Sequence, residues 1–110
     1  MRLTDLRARF YGCHFPGDAA YYDGRGVTFE CPHCAAAGVP PDERQRLGVP
    51  FANPIGGGPK VAGGGEQGDC WWIRTGDTID ALTLAPSVDA SSERAGRHWH
   101  GHVVNGACVP

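Results

Sequence analysis

Two short stretches of this chain carry side chains suited to binding a metal ion. The first is Cys31-Pro32-His33-Cys34, and the second is His98-Trp99-His100-Gly101-His102. Two thiolates at this spacing can hold one tetrahedral ion while the backbone between them turns tightly. In an extended strand, residues i, i+2 and i+4 project from one face. His98, His100 and His102 are therefore expected to share a face, with Trp99 opposite. Three imidazoles make a poor core: buried, each needs a partner, and charged, they repel one another. The spacing predicts a closed Cys₂His₂ site made by Cys31, Cys34, His98 and His100, with His102 beside it or facing solvent. Thiolate and imidazole donors point to Zn²⁺ and away from Mg²⁺ or Ca²⁺. An open site, with three protein ligands and a water, draws on the same residues and would suit a small metalloenzyme. The bland alternative is a surface histidine run beside an inert cysteine pair.

Other residues compete for a place in that site. Cys108 follows the Asn105-Gly106 turn and can approach the histidine strand, which makes it the main rival fourth ligand. Cys13-His14 is a weaker pair of the same kind. Cys70 precedes Trp71 and Trp72 and reads as a small buried hydrophobe. Asp77, Asp80 and Asp89 can each add a carboxylate to a two-histidine site of the non-haem iron type, but the nearby thiolates favour zinc. Two further patterns lack their context. Gly56-Gly57-Gly58-Pro59-Lys60 has no Gly-Lys-Ser/Thr order, preceding strand or following helix, so it is not a phosphate loop. Ser87, Asp89 and a histidine have the composition of a catalytic triad without a Gly-x-Ser-x-Gly elbow.

The elements that position these residues read as short strands. Val27–Glu30 alternates and runs straight into Cys31. Cys70–Arg74, Ile79–Leu84 and His98–Val104 are also predicted strands, and Asn105-Gly106 predicts a hairpin returning through Ala107–Val109. Residues 1–12 fit a helical face or a strand, with a lean to strand. Asp23-Gly24 is a hairpin-type dipeptide, and Pro41–Leu47 allows one or two helical turns before Gly48. Adjacent Trp71 and Trp72 must point to opposite faces of a strand, so one of them needs cover from the Gly-rich loop or a partner. The fold expected is a mostly β, small single domain over residues 1–110. Residues 48–68 hold eight of the 17 glycines and are expected to form a flexible loop.

Composition narrows the function classes. Glycine and proline supply 26 of 110 residues, and only 20% are charged, which excludes a helical bundle or coiled coil. A chain this small and this rich in glycine buries limited apolar surface, so a metal or disulfide staple is expected. The net charge is −2 and the arginines are scattered, which argues against a nucleic-acid surface. No apolar run approaches the roughly 20 residues needed to span a bilayer. The N-terminus lacks the apolar core of a signal peptide, so the expected location is the cytoplasm. Five cysteines, an odd number, then read as metal ligands or free thiols.

Three blocks carry a resemblance: Phe29-x-Cys31-Pro32-x-Cys34, then Leu82-Thr83-Leu84-x-Pro86-Ser87-Val88, then His98-Trp99-His100-Gly101 with Asn105-Gly106. In this order they resemble a family of small uncharacterised proteins of bacteria and their phages. That family has a CPxC knuckle, a TLxPS strand end and a late Cys/His-Trp-His-Gly segment. The resemblance covers residues 27–34 and 71–106 and implies zinc binding through Cys31, Cys34, His98 and His100. His98 stands where relatives often have Cys, a change that keeps a zinc ligand. Some members are labelled ammonia monooxygenase, an activity that implies a large membrane complex, whereas nothing in this sequence spans a membrane. The function expected is a phage or bacterial accessory protein with a structural zinc, acting as a protein-binding module in the host cytoplasm if phage-encoded. A virion or assembly component is a further alternative.

Overall fold

The computed structural model describes residues 1–15, 17–61, 70–90 and 98–110. Residues 62–69 of the expected Gly-rich loop and residues 91–97 of the polar stretch before His98 lie outside them. Among the described residues the fold is small and mostly β, with three antiparallel sheets and little helix. No described helix is long and apolar enough to cross a membrane.

The first sheet is β1 (Arg9–His14), β2 (Tyr21–Glu30) and β3 (Arg46–Pro50), in that order. Phe10, Val27 and Val49 sit across from one another, as do Thr28 and Gly48. Val27, Phe29, Leu47 and Val49 are fully or almost fully buried and supply one wall of the core. A two-stranded ribbon follows, β4 (Ile73–Thr75) with β5 (Thr83–Ala85). The third sheet is β6 (Val88–Asp89), β7 (His100–Val104) and β8 (Ala107–Val109), with Val88 opposite Gly101 and Val103 opposite Cys108. The hairpin predicted at Asn105-Gly106 is present, and both residues take positive φ, as a type I′ turn requires.

The sheets are tied by the core and by a few cross-links. Trp72 is buried against Phe51, joined to it by a parallel bridge, and its indole N–H donates to the Ser87 carbonyl at 3.2 Å. Leu3 and Leu6, on a 3₁₀ turn over Leu3–Leu6, are fully buried, and the Leu3 N–H donates to the Gly106 carbonyl at 2.8 Å. The strand expected over Cys70–Arg74 begins only at Ile73, because Trp72 is drawn into a bridge with Phe51, and Trp71 precedes it. Trp71 is half-buried, with Lys60 4.1 Å from its ring centroid and its indole N–H on the Val61 carbonyl.

Several local expectations differ from the structure. The loop expected over 48–68 begins later, because Gly48, Val49 and Pro50 complete β3. Leu47 and Val49 bury one face there, and that gain outweighs the low strand preference of Gly48 and Pro50. Asp23-Gly24 is not a turn: β2 runs through it, and Gly24 absorbs a φ of +66° where the strand packs on Ile55. Residues 79–81 form a 3₁₀ turn, which shortens the expected strand to Thr83–Ala85. His98 and Trp99 precede β7, whose first residue is His100.

Candidate metal centre

The knuckle begins where β2 ends. Phe29 and Glu30 are buried, and Cys31 caps the short helix α1 (Pro32–Ala36). Proline suits the first helical position because its missing N–H would have no partner there. The Ala35 N–H closes the turn on the Cys31 carbonyl at 3.0 Å, and the Val39 N–H reaches the Cys34 carbonyl at 3.1 Å. The Cys31 N–H is itself held by the Gln45 carbonyl at 2.8 Å. Both cysteines are therefore fixed by backbone hydrogen bonds, with Cys31 fully buried and Cys34 8% exposed.

His98 arrives from the other half of the chain. The Ala90 N–H holds the Trp99 carbonyl at 2.9 Å just before β7 begins. The Trp99 ring meets Phe29 edge-on, with centroids 6.1 Å apart. Gly101 makes this approach possible, since a Cβ there would stand 2.4 Å from the Val109 carbonyl oxygen and 2.6 Å from the Trp99 ring. With Trp99 so placed, His98 Nδ1 lies 3.5 Å from Cys34 Sγ and 3.7 Å from Cys31 Sγ. The three ligand atoms all lie within 4.8 Å of one another.

These distances test whether an ion fits. With Zn–S of about 2.3 Å and Zn–N of about 2.05 Å, a tetrahedral angle separates sulfur from nitrogen by about 3.6 Å. The two observed separations bracket that value, so Cys31, Cys34 and His98 form a cluster that could hold a metal ion. Burial pushes the Cys31 thiol above its ordinary pKa, and the neighbouring Cys34 adds to the rise. The backbone N–H dipoles of Cys34 and Trp99 favour the charged sulfur and oppose the rise. A buried sulfur in such surroundings is prepared to be a thiolate once a cation offsets the cost of burial.

The remaining candidates fall outside the group of ligand atoms within 4.8 Å of one another, although Cys108 stands near enough to Cys31 for the two thiols to interact. His100 is exposed on β7, and its Nε2 lies 3.4 Å from Ser87 Oγ. The expected pairing of His98 with His100 assumed one continuous strand, and β7 starts only at His100. His102 is exposed, as expected. Cys108 is buried on β8, and burial pushes its thiol up to about 11, with Cys31 adding to the rise. His14 Nδ1 lies 3.1 Å from the Ala20 carbonyl, and Cys70 is half-buried beside Trp71. Among the described residues, Cys31, Cys34 and His98 are the one group of three such ligands.

Sequence reasoning missed the charged cluster beside the knuckle. Glu30 is 1% exposed and accepts from Arg7 Nε at 2.7 Å and Arg44 Nη1 at 3.1 Å. Burial disfavours the carboxylate, but the hydrogen bonds and charges of the two arginines outweigh it and hold Glu30 below the usual range. Arg44 Nε also donates to the Val39 carbonyl at 2.7 Å, which ties the segment after α1 to the same carboxylate. The only signal in the sequence is an acidic residue, Glu30, placed directly before the first cysteine of the knuckle.

No family model matches the chain, and no curated protein or solved structure matches it.

Proposed function

We propose that Cys31, Cys34 and His98 hold a structural Zn²⁺, and that the domain stapled in this way serves as a protein-binding module. The observation that carries this reading is the placement of one imidazole nitrogen 3.5 Å and 3.7 Å from two buried sulfurs. Those separations suit one shared tetrahedral ion, and borderline-soft Zn²⁺ suits thiolate with imidazole. The ligands also come from distant parts of the chain, as a staple requires. The resemblance to small bacterial and phage zinc-binding proteins agrees with this reading, and it supports an accessory role in such a cell. All five cysteines are free thiols, which suits a reducing compartment such as the cytoplasm. A partner is supported by apolar side chains left in solvent, with Ile73 61% exposed and Tyr21 55% exposed.

One observation favours a second reading. Among the described residues the cluster offers three ligands, and a fourth position filled by water is the arrangement of a catalytic zinc. X-ray absorption on the purified protein separates the two. Two sulfurs and a closed shell, with the parent destabilised by chelation and Cys31→Ser and His98→Ala already destabilised without it, support the staple. A bound water and variants that stay folded support the open site. Protein that carries no zinc and remains folded in chelator would overturn both.

A further inference from the structure

The cluster at Cys31 leaves unexplained the histidines that follow it. Along β7 exposure alternates: His100, His102 and Val104 face solvent, while Gly101 and Val103 are buried. His100 and His102 therefore share one face, with Cα atoms about 6.6 Å apart along the strand. The ladder adds a third donor. Asp89 on β6 stands directly opposite His100, and residues so paired have neighbouring side chains on the same face. Ser87 completes the rim, with its Oγ 3.4 Å from His100 Nε2. Two exposed imidazoles thus share one face of β7, and the half-buried carboxylate of Asp89, which has a partner of its own, lies across the ladder from the first of them.

We infer that His100, His102 and Asp89 form a second, solvent-facing site for a late first-row divalent cation, distinct from the thiolate cluster. Imidazole with carboxylate and water suits Ni²⁺, Cu²⁺ and Zn²⁺, and the absence of sulfur donors removes the preference for zinc that the first cluster has. The ligand atoms are not pre-gathered as they are at Cys31, because His100 rests on Ser87. Binding exchanges that long contact for a metal bond, and an exposed imidazole turns toward the ion without displacing a packed neighbour. The site is therefore weaker than the buried one and exchanges its ion rapidly. A fixed ion with open coordination positions on an exposed strand face can take up a further ligand, such as a carboxylate or imidazole of another molecule.

The test is a calorimetric titration of the protein, as purified, with Ni²⁺, which does not oxidise thiols. Paramagnetic broadening of assigned resonances locates the ion. The zinc content is measured before and after, so a result at this face stands apart from the question of what Cys31 and Cys34 hold. The expected result is one Ni²⁺ per chain, broadening centred on residues 87–89 and 100–102, and unchanged zinc. Loss of either chelating imidazole, in His100→Ala or His102→Ala, lowers affinity by on the order of a hundredfold. Asp89→Asn weakens it by about tenfold, and His14→Ala and His33→Ala leave it unchanged. His100 and His102 are exposed, so their variants keep the fold, which an unchanged unfolding midpoint verifies; Asp89→Asn is read only if its midpoint is also unchanged. The inference is overturned if both β7 variants bind Ni²⁺ like the parent. It is equally overturned if Ni²⁺ shows sulfur charge-transfer absorption and expels zinc.

Discussion

Removing the imidazole of His98 tests the staple most directly. The metal would join Cys34 to His98, which lie 64 residues apart in sequence. Cross-linking a loop of that length removes chain entropy from the unfolded state worth about 4 kcal/mol at room temperature. A domain of this size has about 5–15 kcal/mol in total, so the clasp would supply a large share. The assay is urea unfolding followed by tryptophan fluorescence, for the parent and for His98→Ala, each with and without a strong chelator. The parent is expected to lose about 4 kcal/mol on chelation, near 16 °C in melting temperature. His98→Ala should start lower by about that amount and lose under about 1 kcal/mol more on chelation, because its metal would close only the short Cys31–Cys34 loop. His98→Cys should restore most of the chelator response. The two perturbations thus form a cycle, and loss of packing around His98 cannot mimic it. Equal chelator losses in parent and His98→Ala would refute the reasoning, as would a parent indifferent to chelation.

Three further outcomes follow from other parts of the fold. Gly101→Ala should destabilise by about 1–3 kcal/mol and weaken metal retention, because the new methyl group collides with the Val109 carbonyl and the Trp99 ring and so displaces the residue next to His98; competition with a chromophoric chelator measures the retention. Glu30→Gln should cost about 1–3 kcal/mol at neutral pH, since it leaves Arg7 and Arg44 without their carboxylate. The depressed pKa of Glu30 means that its contribution is complete above pH 4.5 and is lost as pH falls through the lower folded value, so the variant should lose less stability than the parent on acidification. Tyr11 is held protonated by burial, with its pKa raised to about 12, so its contribution is present below pH 10 and fades as pH rises toward 12; Tyr11→Phe should blunt alkaline unfolding followed by circular dichroism.

The sequence carried the site further than it carried the elements. Val27–Glu30 ran into the knuckle as alternation and the CPxC spacing indicated, and His98 reached the two sulfurs. His100 did not. Period-2 reasoning holds only within a strand, and nothing local marks the start of β7 two residues past His98. That start follows from Trp99 packing on Phe29, a contact between residues 70 apart in sequence that no local pattern encodes. The same holds for Gly48 and Pro50, whose types suggest a loop but whose neighbours Leu47 and Val49 had a buried face to complete. Asp23-Gly24 looks like a hairpin turn, yet the actual turn lies between β1 and β2, before Tyr21, and Gly24 is spent on a tight approach to Ile55. Glu30 was illegible because its two cations lie 23 and 14 residues away.

The span between the knuckle and His98 also orders events during synthesis. All three strands of the first sheet are made by residue 50, so that sheet can assemble while the rest of the chain is still being translated. Cys31 and Cys34, just past β2, would meanwhile wait for an imidazole that the ribosome has not yet added. During that interval the CPxC turn is a two-sulfur site without its third ligand, open to exchange with other soft ions or with cellular thiols. If the cluster binds zinc as proposed, arrival of His98 would convert this provisional site into a tighter one and bring β7 onto the core. Metal capture and completion of the fold would then be a single late step, with zinc supply at the end of translation governing how much newly made chain survives.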